Sequence, residues 1–205
     1  MHPLVGVLIS YLVGSIPFAY LAGKAKGIDL RQHGSGNLGA TNAIRVLGKR
    51  IGGAVYLADT LKGTLPVLLL PPLIDSTQRE LWAIAFGIVA ILGHVRPIFL
   101  MGQGGGKGVA TAGGVFFGLA PIPAITAFLC FVATLAITRY ASVGSMVAAV
   151  VLPAAILALN GPTVLFGIAC AVGLFVFWTH RSNIGRLRNG TEPKMSRSKQ
   201  EPQSA

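Results

Sequence analysis

The stretch from Val109 to Thr138 reads VATAGGVFFGLAPIPAITAFLCFVATLAIT and contains no charged residue. Its length of about 30 residues exceeds the roughly 20 apolar residues that one membrane-crossing helix needs. Pro121 and Pro123 interrupt it near the middle, where proline breaks an α-helix. Two helices of about 15 residues would each rise only about 22 Å, which is short of the roughly 30 Å hydrocarbon core.

The distribution of charge decides how often this stretch crosses the membrane. A single crossing would place the arginine-rich C-terminal segment outside the cell, whereas two crossings, or a turn part-way, would place it inside. Membrane proteins keep lysine- and arginine-rich connections on the cytoplasmic side. We therefore predict two short helices here, a thin or re-entrant pair that is buried by neighbouring helices.

The whole chain has the composition of an all-α polytopic membrane protein. Of its 205 residues, 53% are hydrophobic and 11% are charged, and the net charge of +11 lies almost wholly in the connections. This pattern predicts a single transmembrane domain over residues 1–193 and a polar, cytoplasmic and loosely ordered tail over residues 194–205. Because no basic, aromatic-interleaved soluble surface exists, we expect no nucleic-acid partner. Cys130 and Cys170 are interpreted as small buried hydrophobes.

Five further apolar segments bring the predicted total to seven, with the N-terminus outside and the C-terminus in the cytoplasm. They run over residues 3–23, 51–73, 81–100, 143–159 and 163–179. The loop from Lys24 to Arg50 holds six lysines and arginines and is predicted to be cytoplasmic. Residues 102–108, the turn 139–142 and the chain from His180 onward fall on the same side, whereas residues 75–80 and 160–162 fall outside.

The segment from His33 to Arg45, HGSGNLGATNAIR, combines a glycine-rich turn with polar side chains and a cation. Unpaired backbone N–H groups at such a turn, followed by a helix start, favour an oxyanion such as phosphate. The alternative is a polar turn between membrane helices, capped by Asn37 or Thr41. These residues alone do not separate the two interpretations.

Two later cytoplasmic segments carry similar chemistry. In GGGKGVAT, residues 104–111, three consecutive glycines precede Lys107 at a helix start, although Gly108 stands where a Walker A loop would have Ser or Thr. In HRSNIGRLRNGTE, residues 180–192, His180 and Asn183 are spaced to share one helix face. The arginines of this segment lie on other faces, where they would meet lipid phosphates or anchor the chain. His180 is a candidate for proton transfer or phosphate binding.

Asp59 and Lys62 lie inside the second apolar segment, three residues apart. Ionisable groups at membrane depth are costly, so both should face the bundle interior, whether they have a functional role or pair with each other and stabilise one packing arrangement. His94 closes the third segment near the inner face. No cluster has metal-ligand spacing, so no metal or other cofactor is expected, and no GxSxG elbow or His-x4-Asp signature occurs.

Taken together, SGNLGATN with Arg45, Asp59–Gly63, GGKGVAT, residues 139–142 and HRSNIGRLRNGTE resemble the bacterial acyl-phosphate-dependent glycerol-3-phosphate acyltransferases. The resemblance covers nearly the whole chain, with five motifs in order. It implies seven membrane helices in the bacterial inner membrane, a cytoplasmic-facing site and no cofactor. The implied reaction transfers a fatty acyl group from acyl phosphate to the 1-hydroxyl of glycerol 3-phosphate, giving lysophosphatidic acid and phosphate. A soluble enzyme that forms acyl phosphate is then a functional partner.

The resemblance assigns roles to individual residues. The implied catalytic set is Ser35, Arg45, Lys107, His180 and Asn183. The implied substrate-binding set is Gly36, Asn37, Thr41, Asn42, Gly105, Gly106, Ser142 and Glu192. Leu38, Arg96 and Gly144 depart from the usual pattern, and none of them carries a functional group in this assignment.

Two accounts of proton transfer remain open, as do two rival functions. His180 either takes the hydroxyl proton or stays protonated as an electrostatic clamp while the donor's phosphate takes it; we favour the second.

A transporter of a phosphorylated or other small organic anion is the first rival. It would need an access route from outside, which the polar-poor outer turns do not suggest. A lipid phosphatase is the second rival, and it lacks a recognisable nucleophile.

Overall fold

The computed structural model describes residues Met1–Met195. Residues 196–205, most of the predicted tail, lie outside the described residues. In the described part the chain is helical and contains no strand. The helices are α1 (Pro3–Ser15), α2 (Phe18–Lys24), α3 (Ala40–Leu47), α4 (Lys49–Leu69), α5 (Arg79–Val95), α6 (Val109–Leu119), α7 (Pro121–Thr138), α8 (Ala141–Asn160), α9 (Val164–Thr179) and α10 (Arg181–Arg188). Two 3₁₀ turns, Pro71–Leu73 and Ile98–Leu100, follow α4 and α5.

Five segments are long and apolar enough to cross a membrane: Pro3–Lys24, Lys49–Leu73, Arg79–Leu100, Pro121–Thr138 and Ala141–Asn160. Helices α9 and α10 add a sixth if they count as one span bent by 54°. Helix α6 is apolar but has only 11 residues. The all-helical membrane fold class is thus confirmed, with five or six full-length spans in the described part of the chain.

The stretch from Val109 to Thr138 forms two helices, as predicted, but they differ in length and burial. The chain breaks at Ala120, and Pro121 begins α7, the position where proline fits a helix. Helix α7 has 18 residues, rises about 27 Å, and only 17% of its residues are buried. The prediction of two short buried helices is therefore wrong for α7. It holds for α6, whose residues 111, 112 and 114–116 are all buried.

Other predicted boundaries shift by a few residues. The cytoplasmic loop 24–50 contains α3, and α4 already begins at Lys49. Ser142 lies in the first turn of α8, and not in a free turn. Cys130 and Cys170 are half-buried thiols, which corrects the expectation that both are buried.

Small residues allow α1 to approach α5 closely. Gly6, Ser10 and Gly14 recur every four residues along α1, and all three are buried. A Cβ on Gly6 would lie 2.5 Å from the Phe86 ring, and a Cβ on Gly14 would overlap the backbone at Ala90. Such stripes of small residues are the usual contact surface of packed membrane helices.

Helices α4 and α6 also meet at two glycines. A Cβ on Gly63 would overlap the Thr111 carbonyl, and a Cβ on Gly114 would overlap the Thr60 carbonyl. The Thr64 hydroxyl donates a hydrogen bond to the Gly114 carbonyl at 2.8 Å. This contact fixes α6 against the longest helix, and with α6 the glycine-rich loop that precedes it.

Gly114→Ala should lower the thermal stability of the purified protein, because the added methyl group has no room against α4. Overpacking of this kind costs about 1–3 kcal/mol of unfolding free energy. The matched control is Gly113→Ala, since a Cβ on Gly113 would meet no atom within 4 Å. The control should keep or slightly raise the melting temperature, as alanine favours a helix by about 1 kcal/mol over glycine. Equal melting temperatures for the two variants would contradict the close α4–α6 contact.

Candidate active site

A cavity of about 310 Å³ is bounded by α3, α4, α6, α7, α8 and α10. Ten of the thirteen predicted site residues line it: Ser35, Asn37, Thr41, Asn42, Arg45, Lys107, Ser142, His180, Asn183 and Glu192. Gly36, Gly105 and Gly106 are not among the residues that line the cavity, so their place is in the supporting loops. The three motif segments, which are far apart in the sequence, therefore meet around one space.

Asn42 shapes the first loop from inside. Its Oδ1 accepts a hydrogen bond from the Ser35 backbone N–H at 2.8 Å, and its Nδ2 donates to the carbonyls of Leu30 and His33 at 3.2 and 3.0 Å. Gly34 has a φ of +62° and lies against the Asn42 side chain, so only glycine fits there. With both Nδ2 hydrogens engaged, Asn42 acts as a scaffold for Ser35.

Helix α3 begins at Ala40 without a side-chain cap, so the predicted capping by Asn37 or Thr41 is wrong. Asn37 points elsewhere, because its Nδ2 donates to the Gly105 carbonyl at 3.4 Å. This bond joins the first motif loop to the second. Gly108, at a φ of +83°, then turns the chain into α6 and leaves Lys107 facing the cavity.

Glu192 organises the third side of the cavity. Its Oε1 accepts hydrogen bonds from the Ser142 hydroxyl at 2.7 Å and from Asn183 Nδ2 at 2.6 Å. Its Oε2 accepts a bond from Arg186 Nε at 2.7 Å. A carboxylate can only accept, so the Asn183 amide must turn its Oδ1 away, and this oxygen accepts a bond from Lys107 Nζ. Glu192 thereby sets the orientation of the Asn183 side chain.

Arg186 lies at the cavity, and not only among lipid phosphates as the sequence had indicated. Arg45 stands across from it, and its Nη2 donates to the Pro193 carbonyl at 3.4 Å. The Arg45 Nε is buried and has no hydrogen-bond partner among the described residues. Arg45 as a whole lines the cavity, where its permanent positive charge suits an anionic ligand.

The described chain beyond Glu192 is held by hydrogen bonds between Met195 and Arg139. The backbone N–H of Met195 donates to the Arg139 carbonyl at 2.8 Å. The Arg139 guanidinium returns two bonds to the Met195 carbonyl, at 3.1 and 3.0 Å. Pro193 and Met195 line the cavity, so the segment predicted as a loose tail from residue 194 begins as part of the cavity wall.

Positive charge dominates this end of the cavity. Arg45, Lys107 and Arg186 face a single carboxylate, that of Glu192. The other acidic residue at the cavity, Asp59, is neutralised by Lys62, whose Nζ lies 2.8 Å from its Oδ1. The predicted interior location of Asp59 and Lys62 is thus confirmed, and the two residues form the ion pair that was one of the two alternatives. Two positive charges remain in excess, which suits a dianion.

The site shifts the pKa values of its own groups. Burial and the Arg186 and Arg45 cations lower the pKa of Lys107 to about 8. Burial and the Lys107 cation lower the pKa of His180 to about 4. Burial alone would raise the pKa of Glu192, but hydrogen bonds from Asn183, Ser142 and Arg186 outweigh it and lower that pKa.

At neutral pH the ligand-free protein therefore holds His180 neutral. Its Nδ1 lies 2.8 Å from the Val176 carbonyl, which can only accept, so the proton is on Nδ1. The Nε2 atom then carries the free lone pair. The protonated clamp expected from the sequence concerns the substrate-bound state and stays a prediction.

The other wall of the cavity is apolar. Phe128, Phe131, Val132 and Leu135 form one stripe along α7, and Tyr56 stacks on Phe128 with ring centroids 6.3 Å apart. A second, smaller cavity of about 80 Å³ shares Tyr56, Phe128 and Phe131 with the first and continues between α6, α7, α8 and α9. A charged mouth that joins an apolar groove fits an amphipathic ligand.

Neither Arg186 nor this aromatic wall belongs to the site predicted from the sequence. Tyr56 lies three residues before Asp59, and the α7 residues follow the i, i+3, i+4, i+7 pattern of one helix face. That periodicity was available in the sequence. In a membrane helix, however, it does not distinguish a cavity wall from a lipid-facing surface.

Comparison with known proteins supports a single family. The sequence profile described as glycerol-3-phosphate acyltransferase matches residues 4–190. A glycerol-3-phosphate acyltransferase of Geobacter sulfurreducens is 44% identical over 192 residues, which cover 94% of this chain and 97% of the relative. A relative of the same name from Bacillus cytotoxicus is 46% identical over 198 residues, with 95% and 96% coverage.

A solved structure supports the same family. The crystal structure of PlsY (YgiH), an integral membrane glycerol 3-phosphate acyltransferase in its glycerol 3-phosphate form, superposes with a TM-score of 0.87 at 37% identity. The match covers 95% of this chain and 96% of that one. The lysophosphatidic acid form of PlsY matches with a TM-score of 0.84. The chain described here belongs to the glycerol-3-phosphate acyltransferase family.

Proposed function

We propose that this protein transfers a fatty acyl group from acyl phosphate to the 1-hydroxyl of glycerol 3-phosphate, giving lysophosphatidic acid and phosphate. The observation that carries the proposal is the excess of two positive charges around Arg45, Lys107 and Arg186. A phosphate monoester with a second pKa of about 6 is largely a dianion at neutral pH, so its charge matches that excess. Family membership and the substrate and product named for the PlsY structures support the same reaction.

We propose acyl phosphate as the acyl donor because its shape and charge match the cavity. Acyl phosphate joins an anionic head to a long apolar chain, and the cavity joins a cationic mouth to an aromatic wall. The chain would lie along Tyr56, Phe128 and Phe131. The head would lie near the first motif loop, where Asn37 and Thr41 line the cavity.

The reaction needs the two substrates to be positioned more than it needs a nucleophile or a base from the protein. The glycerol oxygen attacks the acyl carbon, the bond from that carbon to the phosphate oxygen breaks, and phosphate leaves with the bonding electron pair. The hydroxyl proton goes to the donor's phosphate, because an imidazole that is already protonated beside the two substrate phosphates cannot accept it. Two substrate phosphates beside His180 would raise its pKa, and the imidazole then stabilises the developing negative charge.

The donor and the residue assignments are tested together by a product assay on detergent-purified protein. Labelled glycerol 3-phosphate is offered with acyl phosphate, acyl-CoA or acyl-ACP in parallel, and lysophosphatidic acid should form from acyl phosphate alone. Lys107→Ala and His180→Ala should each lower turnover by at least about 10²-fold, the usual loss when one charge-stabilising group is removed. Arg188→Ala is the matched control, because Arg188 is exposed and does not line the cavity.

Each outcome has a distinct meaning when circular dichroism shows that the variants are folded. Product from a thioester donor would keep the acyltransferase class but refute the phosphate leaving group. Near-normal turnover in Lys107→Ala or His180→Ala would refute the site assignment. No product from any donor, with glycerol 3-phosphate still bound, would favour transport of the anion.

The affinity for glycerol 3-phosphate should fall as the pH rises above about 8. Lys107 must be cationic to attract the dianion, and with its pKa lowered to about 8 it loses that charge well before an ordinary lysine would. Calorimetric titration from pH 7 to pH 9.5 measures the effect without a labile donor. In Lys107→Arg the decline should disappear, because arginine stays charged over this range. A wild-type affinity that is constant to pH 9.5 would contradict the lowered pKa.

We further propose seven crossings, with the N-terminus outside and the site facing the cytoplasm of a bacterial inner membrane. The positive-inside distribution supports this orientation, because Lys24, Lys26, Lys49 and Arg50 flank the same end of the bundle as the α10 arginines. Helix α6 would complete its crossing while packed against α4. A single transmembrane domain over residues 1–193, and a soluble enzyme that delivers acyl phosphate from the cytoplasm, follow from the same arrangement.

Cysteine labelling in intact cells tests the number of crossings. In a background with Cys130→Ala and Cys170→Ala, single cysteines are placed as Gln78→Cys, Gly161→Cys and Lys26→Cys. If the chain crosses twice between residues 109 and 138, a membrane-impermeant reagent should label the first two positions and not the third. Labelling of Gln78→Cys without Gly161→Cys, when both react after permeabilisation, would indicate a single crossing there.

A further inference from the structure

Three buried ionisable side chains take no part in the reaction described above. Asp59, Lys62 and His94 are 1%, 3% and 6% exposed, and they lie on α4 and at the end of α5. Asp59 and His94 line the cavity, and Lys62 stands behind them. An ion pair buried at this depth is costly compared with apolar residues, so its contribution to stability alone is a weak reason for its presence.

Lys62 connects the network to the first membrane segment. Besides its 2.8 Å contact with Asp59, its Nζ donates to the Ile16 carbonyl at 2.8 Å and lies 5.5 Å from the centre of the Phe18 ring. Ile16 and Pro17 form the break between α1 and α2. Lys62 therefore ties this break to α4.

His94 connects the network to the glycine-rich loop. Its Nδ1 lies 3.6 Å from Asp59 Oδ1. Its Nε2 occupies the space where a Cβ on Gly106 would lie. The carbonyls of Val95 and His94 occupy the space where a Cβ on Gly105 would lie. The two glycines thus lie directly on the end of α5, and any side chain would lift the loop away.

The first motif loop contacts the same two glycines. Asn37 Nδ2 donates to the Gly105 carbonyl, and the Leu38 carbonyl lies 3.2 Å from the Cβ position of Gly106. The His94 imidazole and the Leu38 carbonyl therefore both border the Cβ position of Gly106, so only glycine fits between the end of α5 and the first motif loop there. The next residue along the chain is Lys107.

We infer that Asp59 and His94 are positioning residues. They fix the position of the Gly105–Gly106 loop relative to the end of α5, and so they place Lys107 against the acceptor's phosphate. The inference rests on the proposed function. It also gives Gly105 and Gly106 a role although they do not line the cavity: without side chains, they allow the end of α5 and the first motif loop to pack directly on this loop. Asp59 acts through His94, and neither side chain needs to touch the substrate.

The experiment compares His94→Asn and His94→Ala with Ile84→Ala, a buried apolar deletion ten residues earlier on the same helix. His94→Asn keeps an N–H group beside Asp59 but is too short to support Gly106. Calorimetry on the purified full chain measures the Kd for glycerol 3-phosphate, and thermal unfolding measures stability. Both His94 variants should raise the Kd about tenfold, and the effect should shrink to less than about twofold when Lys107→Gln is already present, as expected for coupled positions.

The outcomes separate this inference from the proposed function. A wild-type protein that binds no glycerol 3-phosphate would refute the function itself. A His94→Asn variant that binds like wild type, or the same loss in Ile84→Ala, would overturn the positioning role. So would an equal loss with and without Lys107→Gln, or a failure of both His94 variants to fold, because each result means that His94 acts only on global stability.

Discussion

Arg45, Lys107 and Arg186 share one cavity with the single carboxylate of Glu192. Cations that are taken out of water without enough partners repel one another, and the structure has to hold them in place against that repulsion. At an effective dielectric constant near 20, two unit charges 4 Å apart interact by about 4 kcal/mol. Burial, and then repulsion from Arg186 and Arg45, lower the pKa of Lys107 to about 8. A dianionic ligand removes this repulsion, so the site is preorganised for phosphate.

Helix ends, glycines and one carboxylate hold the charged side chains of the cavity in place. Glu192 binds side chains from α8 and α10 at once, and in doing so it fixes the Asn183 amide that faces Lys107. The α4–α6 glycine contact fixes the helix that begins directly after Lys107. The flexible lysine therefore emerges from a rigid loop, which is the arrangement that positioning catalysis requires.

Much of the site could be predicted from the sequence because its motifs are local. Glycines before a lysine, and His180 and Asn183 three residues apart, indicate an anion site, and the resemblance to a known family assigned the individual roles. Arg186 could not be placed, since helical spacing gives the face of a residue but not what packs against that face. The length of α7 was also missed: Pro121 and Pro123 both lie in its first turn, where proline starts a helix, whereas the prediction had treated them as the break between two helices of similar length. Apolar composition gave the fold class, but it could not separate the wall formed by Phe128 and Phe131 from a lipid-facing surface.

The central claim is that the cavity carries two uncompensated positive charges matched to a phosphate dianion. The most direct measurement is a calorimetric comparison of glycerol 3-phosphate with glycerol 3-sulfate at pH 7.5 and fixed ionic strength. The two ligands have similar shape, but the sulfate ester carries one negative charge fewer. The account predicts that the phosphate ester binds at least about tenfold more tightly, a difference of about 1.4 kcal/mol. Equal affinities for the two esters would contradict the charge match, whatever residues line the cavity.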